Sequence, residues 1–254
     1  MEKISYSSMD YKSKMSHKRT CAMFSLLAFI VFLGIASLIL IVQIYIYEER
    51  MDVFRQNMEK TKVDLQNMGH EFGKMIKSNV CPNIVSREDW KARPPKERQE
   101  MKTPVSFVIL HHTYMDECFN FDDCCKEMRK IQDFHMDDRG WWDIGYSYLV
   151  GEDGLVYEGR NWTTVGAHAP WYNDKSIGIS IMGDYTSKLP NQAAIAAVES
   201  LIGCALLNGV LEPDYILYGH RQARNGTECP GDALFKYIQT WPHWKPGDHF
   251  PPKP

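Results

Sequence analysis

The 254-residue sequence has no excess of either charge: 29 Lys and Arg stand against 32 Asp and Glu, for a net charge of −3. Phosphate-backbone binding needs a basic face, so this balance argues against nucleic acid as a partner. Charge is also missing locally. The run "CAMFSLLAFIVFLGIASLILIVQIYIY", Cys21 to Tyr47, holds no Asp, Glu, Lys or Arg. About 20 apolar residues cross a bilayer, so this run can span one with some tilt. A clean small-residue cleavage site is lacking after it, and its apolar core is too long for a signal peptide. It reads as an uncleaved membrane anchor over 21–47. Lys3, Lys12, Lys14, Lys18 and Arg19 precede it, whereas Glu48 and Glu49 follow. The positive side faces the cytoplasm. Residues 1–20 are then a cytoplasmic tail, and everything after Tyr47 is outside. That is a single-pass type II arrangement at the cell membrane, in a compartment that permits disulfides and N-glycans.

Beyond the anchor, Met51, Phe54, Met58, Leu65, Met68, Phe72 and Met75 recur at alternating steps of three and four, with Thr61 in the remaining position. This is a heptad seam, so residues 48–80 read as a helical stalk along which copies of the chain can pair as a homo-oligomer. The other reading is a stalk that never pairs. Methionine seams specify partners poorly, and Gly69 and Gly73 weaken the helix.

Residues 81–254 suffice for one compact domain. "VSFVILHHT" (105–113), "SIGISIMGD" (176–184) and "YILYG" (215–219) read as strands, and "IGYSYLVGEDGLVYEGR" (144–160) as two strands joined by a turn. "CCKEMRKIQDFHMDD" (124–138), "NQAAIAAVESLIGCALLNG" (191–209) and "ALFKYIQTW" (233–241) read as helices. Strands alternating with helices indicate an α/β domain with a central sheet.

Three residues stand out chemically. His111 ends one strand, His220 ends another, and Cys229 lies in the next turn. Two imidazoles and a thiolate, with a position left for water, make a catalytic zinc set. On spacing alone this is a weak signal, since His and Cys scattered across a domain are more often packed residues or disulfide partners than ligands. Six cysteines follow the anchor: 81, 118, 124, 125, 204 and 229. If all six pair, no thiol is left for a metal. If Cys229 is a ligand, two disulfides can form and one thiol is left over. Asn225-Gly226-Thr227, inside "YGHRQARNGTECPG", is also an N-glycosylation acceptor.

The stretches "VILHHT", "IQDFHMDDRGWWDIGYSYLVGEDGLVYEGR", "GAHAPWYNDKSIGISIMGD", "YGHRQ", "TECPG" and "WPHW" occur in that order. Together they resemble the animal peptidoglycan recognition proteins, which are similar to bacteriophage lysozyme-type zinc amidases. The resemblance covers residues 81 to about 245, but neither anchor nor stalk. It implies a central mixed β-sheet flanked by helices, with a groove for the muropeptide. It also implies Zn2+ on His111, His220 and Cys229. Tyr146 and Thr227 are then catalytic, and the reaction is hydrolysis of the amide between N-acetylmuramic acid and L-alanine. Members with serine in place of the cysteine act only as receptors. His112, Thr113, His135, Arg139, Tyr146, His168 and Asn173 match groove residues. Gly140, Trp141 and Arg160 match the set that meets diaminopimelate peptides, although a solvated surface arginine is the alternative for Arg160. The resemblance further implies the disulfides Cys118–Cys124 and Cys81–Cys204. Where the family usually has glycine this chain has Asn161, which creates a second acceptor, Asn161-Trp162-Thr163.

Overall fold

A computed structural model describes residues 5–248 and 250, with side chains at 15, 23–68, 81–248 and 250. Contacts divide the chain into Met1–Glu71 and Phe72–Pro254.

Helix α1 runs over Ser5–Val80. Its stretch Met23–Met68 is long and apolar enough to cross a membrane. Phe54, Met58, Leu65 and Met68 of the heptad seam are exposed; Phe72 and Met75 lie outside the residues whose side chains are described.

The second unit is built on a six-stranded sheet. Its strands are β1 (Ile84–Val85), β2 (Val105–His112), β3 (Tyr148–Val150), β4 (Val156–Glu158), β5 (Ser176–Ile181) and β6 (Leu211–Gly219). They lie in the order β1-β4-β3-β5-β2-β6. β3, β5, β2 and β6 pair in parallel, and β4 pairs antiparallel with β3, so the sheet is mixed. β5 is buried at every position, as expected of a parallel strand covered on both faces.

Period-two alternation divides the core between those faces. Val108, Leu110, Ile177, Ile179 and Ile181 pack with Val198 and Leu201 of helix α3 (Gln192–Leu207). Leu149 and Tyr157 pack on the other side with Met128 and Ile131 of helix α2 (Phe121–Asp133) and with Trp90. Asn120 and Asn191 cap α2 and α3, their side-chain oxygens accepting from the N–H of Asp123 and Ala194. Past the end of α3, Gly209 takes φ +65°, the left-handed stop that glycine tolerates.

Strand β1 was unassigned by pattern, β6 begins at Leu211 rather than Tyr215, and three helices also differ from the sequence reading. The expected 124–138 helix begins three residues earlier and turns π-helical over Phe134–Asp138. The terminal helix, α5 (Asp232–Ile238), stops before Trp241. His220–Ala223, unassigned by pattern, forms a short helix α4. Disulfides join Cys81 to Cys204 and Cys118 to Cys124, and Cys125 is buried as a free thiol.

Candidate metal centre

The site forms where parallel strands end. The register that pairs Leu110 of β2 with Gly219 of β6 brings the next residues, His111 and His220, side by side, their rings 4.3 Å apart. Crevices beyond the carboxyl ends of parallel strands are where α/β sheets bind ligands. Cys229 completes the group from the following loop. Arg221 pins that loop: its backbone N–H donates to Cys229 O (2.8 Å), and its guanidinium donates to Glu228 O and to Asp232 Oδ1 (2.7 Å). Gln222 locks the strand end. It accepts from Gly219 N–H (3.1 Å) and donates to Lys245 O and Gly247 O.

One ligand atom from each of His111, His220 and Cys229 lies within 4.8 Å of the other two. Cys229 Sγ is 3.7 Å from His111 Nδ1. His220 Nε2 is buried, and among the described residues it has no hydrogen-bond partner. A buried donor or acceptor left unmatched is costly, so an unpartnered ring nitrogen within this His, His and Cys cluster suits a metal cation. Burial drives the His111 pKa far down and holds that of His220 at about 4, so both imidazoles are neutral at physiological pH. Burial also pushes the Cys229 thiol up to about 12. Two imidazoles and a thiol suit zinc, whose binding displaces the thiol proton.

Around this centre opens a groove of about 570 Å³. Tyr146 leads into β3 with its ring 5.2 Å from that of His111; burial raises its phenol pKa, so it keeps its proton. Thr227 lines the groove and its hydroxyl accepts from Cys229 N–H (3.2 Å). His112 Nδ1 accepts from Tyr185 N–H (3.3 Å), and Thr113 Oγ1 accepts from Gly183 N–H (2.9 Å). His135 Nδ1 accepts from Gly145 N–H (3.1 Å), and its ring stacks on Trp141 at 4.6 Å. Gly140, at φ +67°, turns the chain so that this stacking is reached. Arg139 and His168 complete the set of matched residues on the groove wall.

Three matched residues, Asn173, Arg160 and Gly140, are elsewhere. Asn173 Oδ1 accepts from the N–H groups of His168 (2.8 Å) and Ala169 (2.9 Å), so it braces the wall from behind. Arg160 lines an adjoining cavity of about 260 Å³ with Gly140 and Trp141. It is 7% exposed, which excludes the solvated-surface reading. Its guanidinium donates to Ile144 O (2.7 Å) and Val165 O (2.8 Å), with Asp143 O at 3.4 Å. Three of its five N–H groups are thereby engaged.

Sequence reasoning missed Tyr114, Met115 and Arg224, which also line the groove. Tyr114 and Met115 directly follow "HHT", the one signal that points to them. The acceptors differ in setting. Asn161 adopts φ +58°, the reason glycine suits this position, and its side-chain oxygen accepts from Thr163 N–H (2.8 Å). Asn225 is exposed beside the groove.

Residues 101–232 match the family model described as N-acetylmuramoyl-L-alanine amidase. The chain belongs to this amidase family. It is 48% identical over 162 residues to peptidoglycan-recognition protein LB of Drosophila melanogaster, covering 63% of this chain and 69% of that protein. It is 42% identical over 206 residues to human N-acetylmuramoyl-L-alanine amidase, covering 76% of this chain but only 36% of the human protein. A solved structure of peptidoglycan recognition protein-LE in complex with tracheal cytotoxin, a monomeric diaminopimelic acid-type peptidoglycan, superposes with a TM-score of 0.63 at 40% identity, over 64% of this chain and 95% of that one. The amidase fold thus accounts for the sheet and its groove, and α1 precedes it.

Proposed function

We propose that the chain binds bacterial peptidoglycan of the diaminopimelate type and hydrolyses the amide between N-acetylmuramic acid and L-alanine, as a membrane-anchored enzyme of antibacterial defence. The observation that carries this reading is the triangle of His111, His220 and Cys229 at the floor of an open groove. Zinc bound there supplies Lewis acidity and lowers the pKa of water. The chain's own residues do the rest. Tyr146, held protonated, donates to the carbonyl oxygen as it gains charge. Thr227 steadies the backbone of Cys229. His135 and Trp141 present a rigid wall to the peptide. Arg160 keeps two N–H groups for the extra carboxylate of diaminopimelate, which a guanidinium fork matches. The amidase-named relatives and the muropeptide-bound relative support this reading.

The full chain in detergent is expected to hold stoichiometric zinc and to release peptide from muropeptide. Cys229→Ser abolishes both; Tyr146→Phe keeps the metal and loses about 10²–10³ in turnover, the usual cost of one oxyanion donor. Zinc-loaded wild-type protein without turnover defeats the amidase reading. A second role, a type II receptor that signals by oligomerisation, is favoured by the exposed seam of Phe54, Met58, Leu65 and Met68, and it is compatible with catalysis.

A further inference from the structure

His168 sits in a slot that only glycine can line. A Cβ at Gly166 would lie 2.5 Å from its Cδ2, and a Cβ at Gly178 only 2.4 Å. Asn173 clamps its backbone. Within this slot each ring nitrogen meets a different neighbour. Nδ1 lies 3.0 Å from His111 Nε2, and Nε2 lies 3.4 Å from Ser176 Oγ.

The far end of this chain decides its direction. Ser176 Oγ lies 2.6 Å from Tyr172 O. Two oxygens that close need a proton between them, and the carbonyl has none to give. The single hydroxyl proton of Ser176 therefore points to Tyr172 O, and towards His168 the oxygen can only accept. For the Ser176–His168 contact to be a hydrogen bond, His168 Nε2 must then carry the ring's proton. A neutral imidazole has one N–H, so His168 Nδ1 is bare and accepts from His111 Nε2–H. That leaves His111 Nδ1 bare, facing Cys229 Sγ.

We propose that Ser176 and His168 are positioning residues that fix His111 in the tautomer whose Nδ1 lone pair faces the metal. Ligating histidines are commonly oriented by such an outer partner, whose loss costs roughly 10–100-fold in metal affinity. Here the partner is a second histidine, itself ordered by a serine at the first position of β5. The link to metal affinity rests on the zinc reading above; the tautomer does not.

The test uses the full chain in detergent micelles with ¹⁵N-labelled histidine. In metal-free wild-type protein the His111 proton is expected on Nε2, and Ser176→Ala is expected to mix the two tautomers. In competition with a chromophoric chelator, Ser176→Ala and His168→Leu should weaken zinc about 10–100-fold. His168→Asn, whose amide oxygen can replace Nδ1 as acceptor, should recover most of that loss. A His111 proton on Nδ1 in the wild type overturns the proposal. So does equal zinc affinity of His168→Asn and His168→Leu, both folded by circular dichroism. If His168→Leu fails to fold, Ser176→Ala, which removes a single oxygen, decides by its tautomer: an unmixed Nε2–H form refutes the relay. Wild-type protein with the expected tautomer but no zinc uptake refutes the metal reading and upholds the relay.

Discussion

At the scale of single residues, chemistry depends on which atoms remain uncommitted. Arg160 shows this. Arg160 was legible within "EGRNW", but its setting was not: three N–H groups hold backbone carbonyls, and the residue lines a cavity with Gly140 and Trp141. Arg160→Lys removes the planar fork while keeping the charge. It is expected to weaken binding of diaminopimelate-type muropeptide about tenfold or more, while lysine-type muropeptide changes little. Calorimetric titration of the two ligands measures this, and an equal loss for both would mark Arg160 as a structural brace. His220 makes the same point. Its place in "YGHRQ" was visible, but only the folded chain shows Nε2 buried with no partner among the described residues.

At the scale of elements, register and close approach do the positioning. β2 and β6 were legible as apolar runs, yet no pattern within either states that Leu110 meets Gly219. β2 and β6 pair directly in the sheet, although β3, β4 and β5 all lie between them in sequence. Glycines on β5 were legible as places of close passage, and the ring that passes there is His168. Gly178→Ala is expected to destabilise the domain by about 1–3 kcal/mol through overpacking and to shift the His168 resonances. Chemical denaturation with NMR checks both, and unchanged stability would show that the slot has room. In α1 the seam positions Phe54, Met58, Leu65 and Met68 are exposed. Cysteines placed by Met58→Cys and Leu65→Cys should crosslink copies of the chain on membranes; monomer alone under oxidising conditions would remove oligomerisation from the functional reading.

At the scale of the whole molecule, burial sets the pH range of the fold. Burial pushes the His112 and His135 pKa values down to about 4, against about 6.5 in an unfolded chain. Between those values the unfolded state binds more protons than the folded one. Stability is therefore full above about pH 6.5, falls as pH drops through that window, and the loss levels off below about 4. Thermal melts of metal-free protein from pH 7.5 to 4 should show a steadily falling Tm, and a flat profile would contradict the burial of these rings as neutral groups. The sequence by itself determined the family, the α/β class, the apolar segment and the candidate His, His and Cys donors. It could do so because apolar periodicity, charge-free length and ordered motifs are local properties of the chain. Only the tertiary structure decided that the donors converge within 4.8 Å, that Arg160 is buried, and that a serine and a second histidine stand behind His111. Those are relations between residues up to 118 positions apart, set by strand register and by which buried atoms must find partners.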